Sequence, residues 1–146
     1  MSFVAATLTV ILAAIAALHA YWALGGLWPG RDQTELARTV VGNVGVTHMP
    51  PASLTAIVAA LIAAVAAWPL LIAPLLRLVL PHVVIAAATI LIGAVFMLRG
   101  LLGYSEAMRR RHAAEPFATY NRLYYSPLCL ALGGGFLILA SSGGMA

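Results

Sequence analysis

Charge is confined in this chain to a few short stretches. The four apolar runs between them, at about 3–24, 52–68, 81–101 and 127–142, contain one formally charged side chain, Arg99. A helix needs about 20 predominantly apolar residues to cross the hydrocarbon core of a bilayer. Four such runs in 146 residues predict an all-α membrane protein, a four-transmembrane-helix bundle forming a single membrane domain. Composition argues against a soluble alternative. With 63% hydrophobic residues, 8% charged residues and a mean hydropathy of +1.00, a water-soluble domain lacks the charges to cover its surface.

The positive charge is arginine alone, and its distribution predicts an orientation. The loops after the first and third runs lie on the same side. Counting Arg99 with them, they hold seven of the eight basic residues, Arg77 being the eighth. The positive-inside rule then places both polar loops in the cytoplasm and both termini outside. The same distribution explains a sequence pI near 9.8 as membrane topology rather than nucleic-acid binding. The first run has no basic residue ahead of it, so it is expected to stay as a span rather than act as a removable signal. A single cysteine, Cys129, excludes an intramolecular disulfide.

Local signals divide the chain further. His19, Tyr21 and Trp22 stand at the exit of the first span, and Gly25, Gly26, Trp28, Pro29 and Gly30 end it. Asp32 followed by Glu35 predicts a capped short helix in the first loop. Pro50, Pro51 and Ser53 open the second span, which Pro69 is expected to end or kink. Within it Ala56, Ala60, Ala63, Ala64 and Ala67 recur at helical spacing, a pattern that lets neighbouring helices approach closely. Gly133, Gly134 and Gly135 predict the same in the last span. Ser126 and Pro127 form a matched start signal for that span, as N-cap and first helical residue. The run Arg109 to His112 reads as a solvated cluster at the level of the lipid headgroups.

The candidate site is the polar material level with the arginine-rich boundary. His19, Trp22 and Trp28 come from the end of the first span, Arg99 from the third, and Asn121 and Tyr125 from the approach to the fourth. Together they are expected to line a cytoplasm-facing pocket. Arg99 would bind an anionic or carbonyl group, His19 and Tyr125 would donate hydrogen bonds, and the tryptophans would supply an apolar wall. The alternative is that Arg99 snorkels to headgroups and the aromatic residues form an interfacial belt. No cofactor or metal is expected. No two histidines share a helix face at ligand spacing, there is one cysteine, and no acid lies inside a span. His19 and His82 fall near opposite faces, ~18 Å apart in depth, so one haem cannot be held by both.

The segments HAYWALGGLWP (residues 19–29) and FATYNRLYYSPLCL (residues 117–130) resemble a family of small bacterial four-helix inner-membrane proteins of undefined function. The resemblance implies the four-span fold and a bacterial inner-membrane location, and it supplies no activity. It also implies an acidic residue where this chain has Asn121, and a Gly-Asp pair where it has Gly103 and Tyr104. Three functions stay open. The first is a protein that holds a lipid-like or small amphipathic molecule, either alone or as an accessory to a larger complex. The second is a membrane enzyme acting on a lipid or isoprenoid, with His19, Arg99 or Tyr125 catalytic. The third is a small transporter working as a homo-oligomer. Membrane lipids are the expected partners in each case, and nucleic acid in none.

Overall fold

A computed structural model describes residues 3–143, the side chains of Ala73 and Pro74 excepted. Those residues form helices and no strand: α1 (Phe3–Ala23), α2 (Gln33–Val40), α3 (Ala52–Leu71), α4 (Arg77–Val79), α5 (His82–Leu102), α6 (Glu106–Arg111), α7 (Phe117–Tyr120) and α8 (Ser126–Gly143). A π turn, Ile72–Leu76, joins α3 to α4, and a second, Asn121–Tyr125, joins α7 to α8. Four helical stretches are long and apolar enough to cross a membrane: α1, α3, α5 and the continuous Phe117–Ser142. This is a multi-pass membrane architecture.

The bundle is built from two pairs. α1 packs along α3, α5 packs along α8, and a smaller contact between α1 and α8 joins them. Glycine explains the second pair. A Cβ on Gly133 would stand 2.7 Å from Met97 Cγ and 2.9 Å from the Gly93 carbonyl, and one on Gly100 would stand 2.7 Å from Leu130. Only bare backbone admits so close an approach. Gly135 faces Leu8 of α1, where a Cβ would come within 2.9 Å, while Gly134 faces open space. The glycine triplet therefore packs α8 against two neighbours, as expected for Gly133 and Gly135 but not for Gly134. Where the helices meet, Leu8, Leu12, Ala66, Leu132 and Phe136 form the core. The Phe136 ring is fully buried and stacks on Phe96 at 6.1 Å.

Two expected boundaries differ. α3 passes through Pro69 and ends at Leu71. The prolyl ring withholds a donor from the Val65 carbonyl, and the next carbonyl, that of Ala66, accepts a bond from outside the helix, Thr9 Oγ1 of α1 donating at 3.0 Å. The alanines of α3 lie along its packing with α1, at different depths. Ala59 and Ala66 are the buried positions. Ala56, Ala60 and Ala63 line an open groove with Ala13, Ala17 and Ala20 of α1.

The second difference concerns Ser126 and Pro127. Ser126 is not an N-cap: its φ of −68° and ψ of −46° are helical, and its N–H reaches back five residues to the Asn121 carbonyl. Pro127 has no N–H to continue that register onto Arg122. The Arg122 carbonyl instead accepts the Tyr104 hydroxyl at 3.2 Å. The proline is tolerated inside a continuous helix because a side chain replaces the bond it cannot make.

The two polar loops fold into one layer across the same end of the bundle. Ala114 N–H donates to the Gly42 carbonyl at 3.1 Å, Val44 N–H donates to Arg111 at 3.3 Å, and His112 Nδ1 donates to Val41 at 2.9 Å. Leu36, Ala37 and Phe117 are the buried centre of this layer. Gly42, at φ +74°, lies flat against the Phe117 ring, where any side chain would overlap it. The capping of α2 is as expected, with Asp32 Oδ1 accepting from Glu35 N–H at 2.8 Å. Glu35 returns the favour by accepting from Arg31 N–H at 2.8 Å.

Candidate functional site at the loop-bearing end

Arg99 lies four residues from the site where α5 gives way to Gly103, and its chemistry is set by neutral neighbours. Nη2 donates to Asn121 Oδ1 at 3.0 Å. Because a guanidinium can only donate, Asn121 must turn its oxygen to Arg99 and its nitrogen away. Asn121 Nδ2 accordingly donates to the Gly103 carbonyl at 2.9 Å, and Ser126 Oγ donates to the same Asn121 oxygen at 3.3 Å. Gly103 makes room for this cluster, since an added side chain there would collide with Ser126 Oγ and stand 3.1 Å from Arg99 Nη1. Arg99 Nη1 is buried without a hydrogen-bond partner.

No carboxylate answers that charge. The chain has four acidic residues, and each is engaged elsewhere. Asp32 and Glu35 cap α2, Glu106 pairs with Arg109 and Arg110, and Glu115 accepts from Thr119 N–H and Oγ1. Glu106 thus serves its own helix.

His19 and Trp22 stand at the same end but in a different place. They line a cleft of about 240 Å³ between α1, the end of α2 and the start of α3, with Val40, Met49, Leu54 and Val58 among its apolar walls. His19 Nδ1 lies 2.8 Å from the Ile15 carbonyl. A carbonyl only accepts, so Nδ1 carries the proton and Nε2 is left as an acceptor in the neutral ring. The Trp22 ring meets His19 edge-on at 5.0 Å between centroids, which holds the imidazole in place. Thr55 closes the cleft, its hydroxyl donating to Pro51 at 3.3 Å.

The remaining candidates have structural partners. Trp22 Nε1 donates to the Trp28 carbonyl at 2.7 Å, and the Trp28 side chain is exposed. Tyr125 OH donates to the Thr39 carbonyl at 3.1 Å, tying the last span to α2. The candidate residues share a level, as depth along the helices implies, yet they divide between two places: His19 with Trp22 against α1 and α3, and Arg99 with Asn121 against α5 and α8. His82 begins α5 at the opposite end. Among the described residues no three His, Cys, Asp or Glu side chains converge as a metal site would require.

Sequence reasoning missed Tyr104, whose hydroxyl bonds to a carbonyl 18 residues away, and Thr55, whose own bond is local but which the packing of α3 sets into the wall of the His19 cleft. It also treated His112 only as part of a charged run, although its ring bonds to a loop 71 residues away. The tie between α3 and α5 was likewise hidden: Trp68 Nε1 donates to Thr89 Oγ1 at 2.9 Å, while Thr89 donates to Ile85 of its own helix at 2.7 Å. Only the second of these bonds is expected from sequence.

No curated protein and no solved structure matches the chain. Residues 12–136, which include all four spans in whole or large part and both clusters, match the family described as "protein of unknown function (DUF3995)". The chain belongs to that family.

Proposed function

We propose that this protein holds the polar end of a lipid-like or small amphipathic molecule in the cleft beside His19, on the arginine-rich side that charge asymmetry assigns to the cytoplasm. The observation that carries the reading is the pairing of His19 Nε2, an acceptor left over once Nδ1 has bonded to Ile15, with walls that are apolar except for Trp22 Nε1, already bonded to Trp28, and the Thr55 hydroxyl, already bonded to Pro51. Ligand pockets of this kind use few polar groups to orient a ligand and apolar surface to hold it. At about 240 Å³ the cleft is smaller than sites that enclose whole ligands, typically ~300–1,000 Å³. It suits a head with a hydroxyl donor whose apolar remainder continues into lipid.

Mass spectrometry of extracts from the purified protein tests this directly. A hydroxyl-bearing amphipath is expected to co-purify, to be lost in Trp22→Ala, and to bind about ten-fold less tightly to His19→Phe, the loss of one hydrogen bond. Recovery of bulk phospholipid alone, in the same amounts from wild type and Trp22→Ala, would refute the cleft.

A further inference from the structure

Beside the Arg99 cluster lies a second cavity, of about 390 Å³, between the end of α5, α6, α7 and the π turn. Its wall includes Arg109, Arg122, His112 and Tyr104, and its floor includes Gly103 and Asn121. Arg99 Nη1 is buried next to that floor, 3.1 Å from where a Cβ on Gly103 would stand. Arg122 makes no ion pair among the described residues, and Arg109 shares the exposed carboxylate of Glu106 with Arg110. His112, also in the wall, has given Nδ1 to Val41. Glu115 also lines the cavity, its oxygens taken by Thr119. Among the lining side chains one carboxylate, Glu115, therefore stands against Arg109 and Arg122, with Glu106 shared between Arg109 and Arg110 outside the lining and Arg99 close by without a carboxylate partner.

A concave wall with one dominant sign of charge concentrates counter-ions. Arginine forks fit the oxygens of phosphate in pairs. The cavity is also at the boundary where the spans emerge, the depth of the phosphate layer of a bilayer. We propose that it is an anion site for a phosphate ester, in which Arg109 and Arg122 engage the phosphate oxygens and Arg99 adds a buried positive field from next to the floor. The phosphate is carried by an anionic phospholipid headgroup or is free in solution. This site is separate from the His19 cleft and does not depend on a ligand there.

The full-length protein in a neutral detergent is titrated with dioleoylphosphatidylglycerol or dioleoylphosphatidylcholine under native mass spectrometry. In parallel, inorganic phosphate is compared with chloride at equal ionic strength, read as a shift in unfolding temperature. Phosphatidylglycerol held about ten-fold more tightly than phosphatidylcholine, with the preference lost in Arg109→Gln/Arg122→Gln and kept in Arg38→Gln, supports a headgroup site. An unfolding temperature raised by phosphate and not by chloride, and again insensitive to phosphate in the double variant, supports the same site filled by a free phosphate. Both substituted arginines are exposed, so the variants fold. Asn121→Asp, which sets a carboxylate beside Arg99, is expected to weaken either anion while leaving the cavity arginines in place. Equal retention of the two lipids with no effect of phosphate overturns the site, as does a preference that Arg38→Gln removes as fully as the double variant.

Discussion

Arg99 and Asn121 meet at 3.0 Å through Nη2 and Oδ1, joining the end of α5 to the π turn that leads into the last span. A cation at this depth is tolerated by amide and backbone dipoles rather than by an opposite charge. The asparagine makes the junction by using both ends of its amide, accepting from Arg99 and Ser126 and donating to Gly103. Asn121→Ala removes these bonds together and leaves a buried guanidinium nitrogen and a carbonyl without partners. Thermal unfolding followed by circular dichroism is expected to show a loss of roughly 2–4 kcal/mol, the scale for hydrogen bonds to a charged group and for stranding it. A loss under ~0.5 kcal/mol would mean that water or lipid serves Arg99 equally well.

The three consecutive glycines of α8 should respond very differently to the same substitution. Gly133→Ala drives a methyl group toward Met97 and the Gly93 carbonyl, and is expected to destabilise the protein by about 1–3 kcal/mol through overpacking. Gly134→Ala points into open space and should be neutral or stabilising by up to ~1 kcal/mol, the helix propensity gained. Equal effects of the two in a detergent unfolding titration would contradict the α5–α8 packing described here.

Trp68 and Thr89 provide a test of the tie between the helix pairs. Trp68→Phe and Thr89→Val each remove the 2.9 Å bond, so a double-mutant cycle on unfolding free energy should return a coupling of ~0.6–1.7 kcal/mol, the range for hydrogen bonds between membrane helices. Strict additivity would show that the bond contributes nothing.

Tyr125→Phe cuts the bond from the last span to the Thr39 carbonyl while leaving the ring against Phe117. The expected consequence is local. Amide hydrogen exchange in α2 should quicken by about five- to ten-fold, equivalent to a net hydrogen bond of ~1 kcal/mol, with α1 and α3 unchanged. Uniform acceleration over all spans would instead make this tyrosine part of the global core.

The number of spans, the polar layer on one side and the capped α2 were legible in the residues themselves. Those features depend on local quantities: the length of an apolar run, the parity that places loops one and three together, and a carboxylate three residues from the N–H that it accepts. Reading Ser126-Pro127 as a start signal failed for a physical reason. Whether Pro127 begins a helix or sits inside one depends on whether the freed Arg122 carbonyl finds a donor, and Tyr104 supplies it from another helix.

The lateral arrangement belonged to tertiary structure alone. Every span is apolar on all sides, so hydropathy does not distinguish a lipid-facing flank from a packed one. Which glycines meet backbone, and which alanines remain in an open groove, is settled by close steric fit. The same fit separates residues at equal depth, placing His19 with Trp22 on one pair of helices and Arg99 with Asn121 on the other. Depth is a one-dimensional property that a sequence carries. Position around the bundle is decided only when the helices touch.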